Sequence, residues 1–414
     1  MTLLYILFFI WVLFILFDFK KAVLCYAPFK ILFYYDVRLT AALPFDMAII
    51  LLIAFCFFVK RKEYSKLHFP FTRGYMVYAI IYSIGCIIPV FMINRIPSTV
   101  ISILLYSYIY FQCLRNIRDV KLAAAVYMLF SLFLVGNGML ELFTHKCPVD
   151  DWIRSMPFID KEHAWDTDFE ELRFGLPRIK SFMPFSITYG VACAILLSLP
   201  FYLVFENFRK SLLMRLLVPM SLVFLLIGVI TSASRSPILG IVVLLSYLFL
   251  DKELFKRYKT KILLLLLLIA VFMWPFIYDN IMSILNPKAA DAIGGSSMDM
   301  RTVQYSIAFD YMMQSPLFGL GKETQITDIL FFGGESIWLP LMINNGILGV
   351  FGYIYLYYAI VKNTKVSGSR YLHIVTASWL VMNTATSLMG LGDATYLTLY
   401  MLLYRYNYLK SVVC

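Results

Sequence analysis

Charge is scarce in this 414-residue chain: Asp, Glu, Lys and Arg make up 15% of it, against 61% hydrophobic residues. A water-soluble fold could not bury that much apolar surface, which leaves a polytopic membrane protein. Histidine is rarer still, with four in the whole chain. No Cys/His cluster has metal-ligand spacing, so no metal site and no cofactor are expected. Of the seven cysteines, Cys25, Cys56, Cys86, Cys113 and Cys193 fall in or beside apolar runs and Cys414 ends the sequence. Only Cys147 lies in a long polar loop, which argues against a disulfide framework. No Lys or Arg precedes Lys20, and no small-residue cleavage site follows the first apolar run. That run therefore reads as a retained first span and not a signal peptide. Internal repeats are also lacking.

Apolar runs are what the chain has. Twelve are long enough to be candidate membrane helices: 2–17, 43–59, 74–94, 97–114, 122–142, 183–205, 212–230, 237–250, 262–279, 336–361, 371–391 and 394–409. The segment 22–42, with Lys30, Asp36 and Arg38 among aromatics, suits an interfacial or re-entrant piece better than a span. The formal charge of +11 could suggest nucleic acid, but the Lys and Arg residues cluster in short loops between spans. That is the pattern of membrane topology, and no nucleic-acid partner is expected. The loops at 60–73, 115–121, 209–215, 252–261 and 362–370 carry most of them and are assigned to the cytoplasm. The loop with Lys20, Lys21, Lys30 and Arg38 is the one dissent. Both termini are then expected in the cytoplasm. The fold class is all-α, with about twelve transmembrane helices and two long outward loops. Helices 1–5 occupy 1–142, the first loop 143–182, helices 6–9 183–279, the second loop 280–335, and helices 10–12 336–414.

Several charged residues converge on the outward face. Arg235 sits in Thr231-Ser232-Ala233-Ser234-Arg235-Ser236-Pro237, between two apolar runs. A charge pressed against hydrocarbon is a functional-site hypothesis by default. Pro237 suits a first helical turn, with Ser234 or Ser236 as N-cap. A helix start there would attract an anion, and an arginine grips phosphate with two parallel donors. Arg235 alone fits a pyrophosphate contact and a lipid-headgroup anchor equally. Arg301 opens an amphipathic stretch that ends at Ser315-Pro316, before a glycine-rich turn; by itself it fits an interfacial helix better. Glu335 follows Gly333-Gly334 and opens a span, where a carboxylate serves as a general base or simply complements the helix dipole. Arg173 and Arg178 stand at the basic end of the first loop, and Glu141 and Asp393 at outward span ends. Glu141 is a candidate for pairing with an arginine or touching substrate, ranked below Glu335, and Asp393 is ranked below that. Charges concentrate at span ends and in loops, which argues against a transporter with an ion path through the bilayer centre.

Taken together, these strings resemble the O-antigen ligase and O-antigen polymerase superfamily of bacterial envelope enzymes. The resemblance rests on Ser234-Arg235-Ser236, on Arg301 followed by Ser315-Pro316-Leu317-Phe318-Gly319-Leu320-Gly321, on Glu335-Ser336-Ile337-Trp338-Leu339 leading to Asn345-Gly346-Ile347-Leu348-Gly349, and on Arg173-Phe174-Gly175 through Arg178 to Pro184. It covers roughly 170–362. It implies a GT-C-like, metal-independent glycosyltransferase in the bacterial inner membrane, working on the periplasmic face. The donor would be an undecaprenyl-pyrophosphate-linked oligosaccharide. Arg235 and Arg301 would hold the pyrophosphate, Glu335 would be the base, and Arg178, Arg173 and Glu141 would contact substrate. Membrane lipids, a chain-length regulator and a flippase are the implied partners. Ligases of this superfamily usually carry a histidine near the start of the span after the second loop. Here Glu335 stands in that place, which favours a polymerase over a ligase.

Overall fold

The structure is a computed structural model and describes residues 2–32, 37–40, 42–88, 93, 95–156, 172–173, 176–205, 212–251, 253, 255–256, 259–260, 278, 298–321, 336–366, 368–386 and 391–413. These are helical almost throughout. The helices are α1 (Thr2–Phe17), α2 (Phe19–Phe29), α3 (Phe45–Val59), α4 (Arg61–Tyr64), α5 (Thr72–Ile87), α6 (Tyr106–Cys113), α7 (Ile117–Thr144), α8 (Pro148–Arg154), α9 (Ser186–Phe205), α10 (Leu212–Thr231), α11 (Arg235–Leu245), α12 (Tyr247–Leu250), α13 (Met298–Gln314), α14 (Trp338–Asn363), α15 (Ser369–Ala385) and α16 (Leu391–Val413). A wide-turned π-helix, Pro97–Leu105, leads into α6. The described residues also hold two short antiparallel hairpins, Arg38–Thr40 with Leu43–Pro44 and Leu172–Arg173 with Leu176–Pro177. By length and composition, α7, α9, Leu213–Thr231 and α14 are long and apolar enough to cross a membrane. Helices Thr2–Phe17 and Phe45–Val59 and the joined run Arg235–Leu250 are apolar but shorter. All but Tyr278 of the expected span 262–279 lies outside the described residues.

Local chemistry explains where the helices begin. Asn116 caps α7 by accepting from the Arg118 and Asp119 amides, and Asp119 returns a bond to the Asn116 amide. That reciprocal pair fixes the start of a 28-residue helix. Proline opens the π-helix and α8, where its missing N–H costs nothing. Gly368, at φ +79°, makes the left-handed turn into α15, held against Asn407 and Tyr202.

The N-terminal arrangement differs from expectation. At the near end of α1 the Tyr5 hydroxyl donates to the Leu39 carbonyl at 3.0 Å, just ahead of α3. At its far end Lys20 pairs with Asp119 at 2.8 Å, and the Phe19 ring packs edge-on against Tyr64, centroids 4.9 Å apart. Lys20 and Lys21 therefore lie on the same face as the loops at 60–66 and 115–121. The dissent of Lys20 and Lys21 from the charge rule disappears, because α2 turns back into the bundle, while Lys30 and Arg38 stay at its opposite end. The segment expected to lie at the interface contains a buried helix: Phe19, Val23, Leu24 and Tyr26 are at most 2% exposed. Arg405 of α16 donates to the Leu114 carbonyl on the basic face. The first turn of α1 and the last turns of α16 thus sit on opposite faces, which corrects the expectation that both termini share one side.

One ionic group is enclosed at the far end of α2. Lys30, 3% exposed, donates to Asp46 and to the Ser102 hydroxyl, each at 2.8 Å, and Tyr26 donates to the other Asp46 oxygen. Charge inside the bundle was not expected, and here it is fully paired, as burial requires.

Candidate active site

Helix α11 starts abruptly. Ala233 takes φ +47°, a left-handed turn for a residue with a side chain, and Ser234 is extended. The Ser234 hydroxyl donates to the Ser232 carbonyl, so the N-cap side chain does not cap the helix. The amides of the first turn are left for partners outside the helix. Arg235, half-buried, is its first residue. The start is wedged against α9 at Gly190, where a Cβ would fall 2.7 Å from the Pro237 ring and also strike the Ser232 side chain.

Farther along, α11 packs on α15. The Ser378 hydroxyl donates to the Gly240 carbonyl at 2.7 Å, and Gly240 leaves room for Met382. Helices α11 and α15 run in opposite directions, so Arg235 and Ala385 lie at the same end of the pair. Arg301 reaches that end as well: its guanidinium donates to the Ala385 carbonyl at 3.5 Å. The start of α14 is fastened there too. The Ile337 amide donates to the Asn383 carbonyl at 3.0 Å, and the Trp338 indole to the Thr384 hydroxyl at 3.1 Å. Tyr305, one turn after Arg301, shares a 2.9 Å hydrogen bond with Ser336. The end of α15 thus gathers Arg235, Arg301 and the residue that follows Glu335. Glu335 itself lies outside the described residues, as does the side chain of Arg173.

The two glycine motifs meet each other. Helix α14 breaks at Gly346 (φ +61°, ψ −160°), and the 315–321 turn plugs the gap. The amides of Leu320 and Gly321 donate to the carbonyls of Ile343 and Asn344; those of Ile347 and Leu348 donate to Pro316 and Leu317. A broken helix among apolar neighbours needs such substitute partners for its freed backbone. The sequence showed each motif but not that one completes the other.

Arg178 and Glu141 sit on the other side of the α11 start. Beside half-buried Arg178, the Ile179 amide donates to the Thr231 carbonyl at 3.2 Å. Glu141, fully buried, accepts from the amides of Ser181 (2.5 Å) and Lys180 (3.3 Å). Lys180 and Arg154 both hold Asp150 at 2.8 Å. Glu141 therefore pins the backbone that carries Arg178 to the end of α7, while the Ile179 amide ties it to the turn before Arg235. Just beyond α7, burial pushes the Cys147 thiol up to about 11, with Glu141 and Asp150 adding to the shift.

Asp393 was ranked last by sequence, and the structure gives it more to do. It is 6% exposed and accepts from Tyr353 at 3.0 Å and Tyr357 at 2.5 Å. Asn383 donates to the Tyr353 hydroxyl, and Trp379 to that of Tyr357. Since the Asn383 carbonyl also holds Ile337, the network supports the start of α14. The only sequence signal was a carboxylate at a span end.

Residues 220–354 match the O-antigen ligase family. The expected likeness to the O-antigen ligase and polymerase superfamily holds over this segment. No curated protein matches the chain significantly. The matched segment contains Arg235, Arg301, Glu335 and both glycine motifs. It stops short of α15, whose end supplies the carbonyl that Arg301 grips.

Proposed function

We propose that the protein polymerises undecaprenyl-pyrophosphate-linked oligosaccharide repeat units into surface polysaccharide, on the outer face of the bacterial inner membrane. The observation that carries this reading is the convergence of Arg235, Arg301 and the start of α14 on the end of α15. Glycosyl transfer from such a donor breaks the bond between the anomeric carbon and the pyrophosphate, and the leaving group gains charge as it does. Guanidinium groups and helix-start amides placed at that leaving group stabilise the transition state more than the ground state. The acceptor sugar hydroxyl must lose a proton to a base, the role assigned to Glu335. Arg178 and Arg173 face the glycan, with Glu141 seating the first of them.

A ligase that hands finished glycan to lipid A-core or protein is the second reading, favoured by the description of the matched family. Gene deletion separates the two. Loss of a polymerase leaves single repeats on the final carrier, whereas loss of a ligase strands full-length glycan on undecaprenyl. Within the polymerase reading, Arg235→Ala and Arg301→Ala should each lower polymer yield by about a hundredfold or more. Long-chain polymer at parental levels from Arg235→Ala removes the pyrophosphate role, and unchanged yield from Glu335→Gln removes the base.

A further inference from the structure

Ser236 is the second residue of α11 and is 2% exposed, yet its hydroxyl has no hydrogen-bond partner among the described residues. A buried hydroxyl left unmatched costs free energy and calls for an explanation. Its position supplies one. Ser236 stands four residues before Gly240, hence on the same face of α11. Gly240 is the residue that packs on Met382 and Ser378 of α15. One helical turn farther out, Ser236 lies toward the end of α15, where the Ala385 carbonyl meets the Arg301 guanidinium. On its other side is Arg235, with the uncapped amides of the first turn.

We infer that Ser236 is a further ligand of the diphosphate group, its hydroxyl donating to an anionic oxygen held between Arg235 and Arg301. The inference rests on the two-arginine reading above and adds a residue to it. A hydroxyl serves this place better than a third cation. It is small enough for a buried helix face, and it discriminates by geometry without adding charge that would slow release of the product. The occupant is a diphosphate and not the single phosphodiester of an ordinary phospholipid, because the donors come from two separate elements, α11 and α13, that meet at the end of α15.

Binding of inorganic pyrophosphate to the purified full chain in detergent tests this, followed by calorimetry and by thermal unfolding. In Ser236→Ala the half-saturating pyrophosphate concentration should rise about tenfold, as for loss of a hydrogen bond to a charged group. The same variant should be equally or more heat-stable without ligand, because the unmatched hydroxyl is gone. A serine with a merely structural role gives the opposite pair of results, lower stability with unchanged binding, and that overturns the proposal. If Arg235→Ala and Arg301→Ala lose binding while Ser236→Ala keeps it, Ser236 is excluded and the arginine reading stands. If neither arginine variant changes binding, or the parent chain binds no pyrophosphate, both readings fall. Displacement of pyrophosphate by phosphatidylglycerol vesicles in the parent but not in Ser236→Ala would make the occupant a lipid headgroup and overturn the diphosphate assignment.

Discussion

Lys20 Nζ lies 2.8 Å from Asp119 Oδ1, closing α1 onto the start of α7. The pair fixes the sense of the whole N-terminal region, because Asp119 belongs to the capping box of α7 among the basic loops. Impermeant thiol reagents applied to intact cells and to inverted vesicles check it. A cysteine placed at Leu3 should be labelled from the side opposite to one placed at Lys21, and Lys21→Cys should behave like Lys62→Cys. Labelling of positions 3 and 21 from the same side removes the inverted first helix.

Lys30 and Asp46 form the enclosed ion pair of the N-terminal half. Truncating one partner strands the other charge. Lys30→Ala should therefore destabilise by about 3–5 kcal/mol, while Lys30→Met combined with Asp46→Leu should recover much of that loss. Thermal unfolding in detergent measures both, and equal stability of the single and double variants would deny the coupling.

Gly346 is held at φ +61° with the Pro316 carbonyl oxygen 2.6 Å from where a Cβ would stand. Gly346→Ala should cost about 2 kcal/mol or more in stability and loosen the plug that seats the 315–321 turn. Polymer yield should fall with it, whereas an alanine at Gly136, where a Cβ meets nothing within 4 Å, should be tolerated. Comparable yields from the two variants would show that the break does not support the site.

Cys147 is buried and its thiol is raised to about 11. The thiolate is the reactive form, and at pH 8 only about one thiol in a thousand would be ionised. Iodoacetamide should leave Cys147 unmodified in the folded protein and should gain access on unfolding. Reactivity should climb only as pH approaches 11. Rapid modification at pH 8 in the native state would contradict the burial of Cys147 at the start of α8.

The membrane class and the long apolar helices α7, α9, α10 and α14 were legible in the sequence. Hydropathy and loop charge act over whole segments and need no partner to be recognised. The start of α11 was legible as well, since Pro237 and the serines around Arg235 mark a helix start locally. The fold of α1 and α2 was not legible, because a helix of eleven residues is too short for a span signal and its burial depends on neighbours from α7 and α6. Nor was the union of the two glycine motifs, whose hydrogen bonds join residues that lie tens of positions apart. Composition and periodicity alone determined that this is a helical membrane protein with cations at one face. Only packing on the end of α15 decided that Arg235, Ser236, Arg301 and Ser336 come together there, since a charge shows itself in sequence but the group it faces is set by which helices touch.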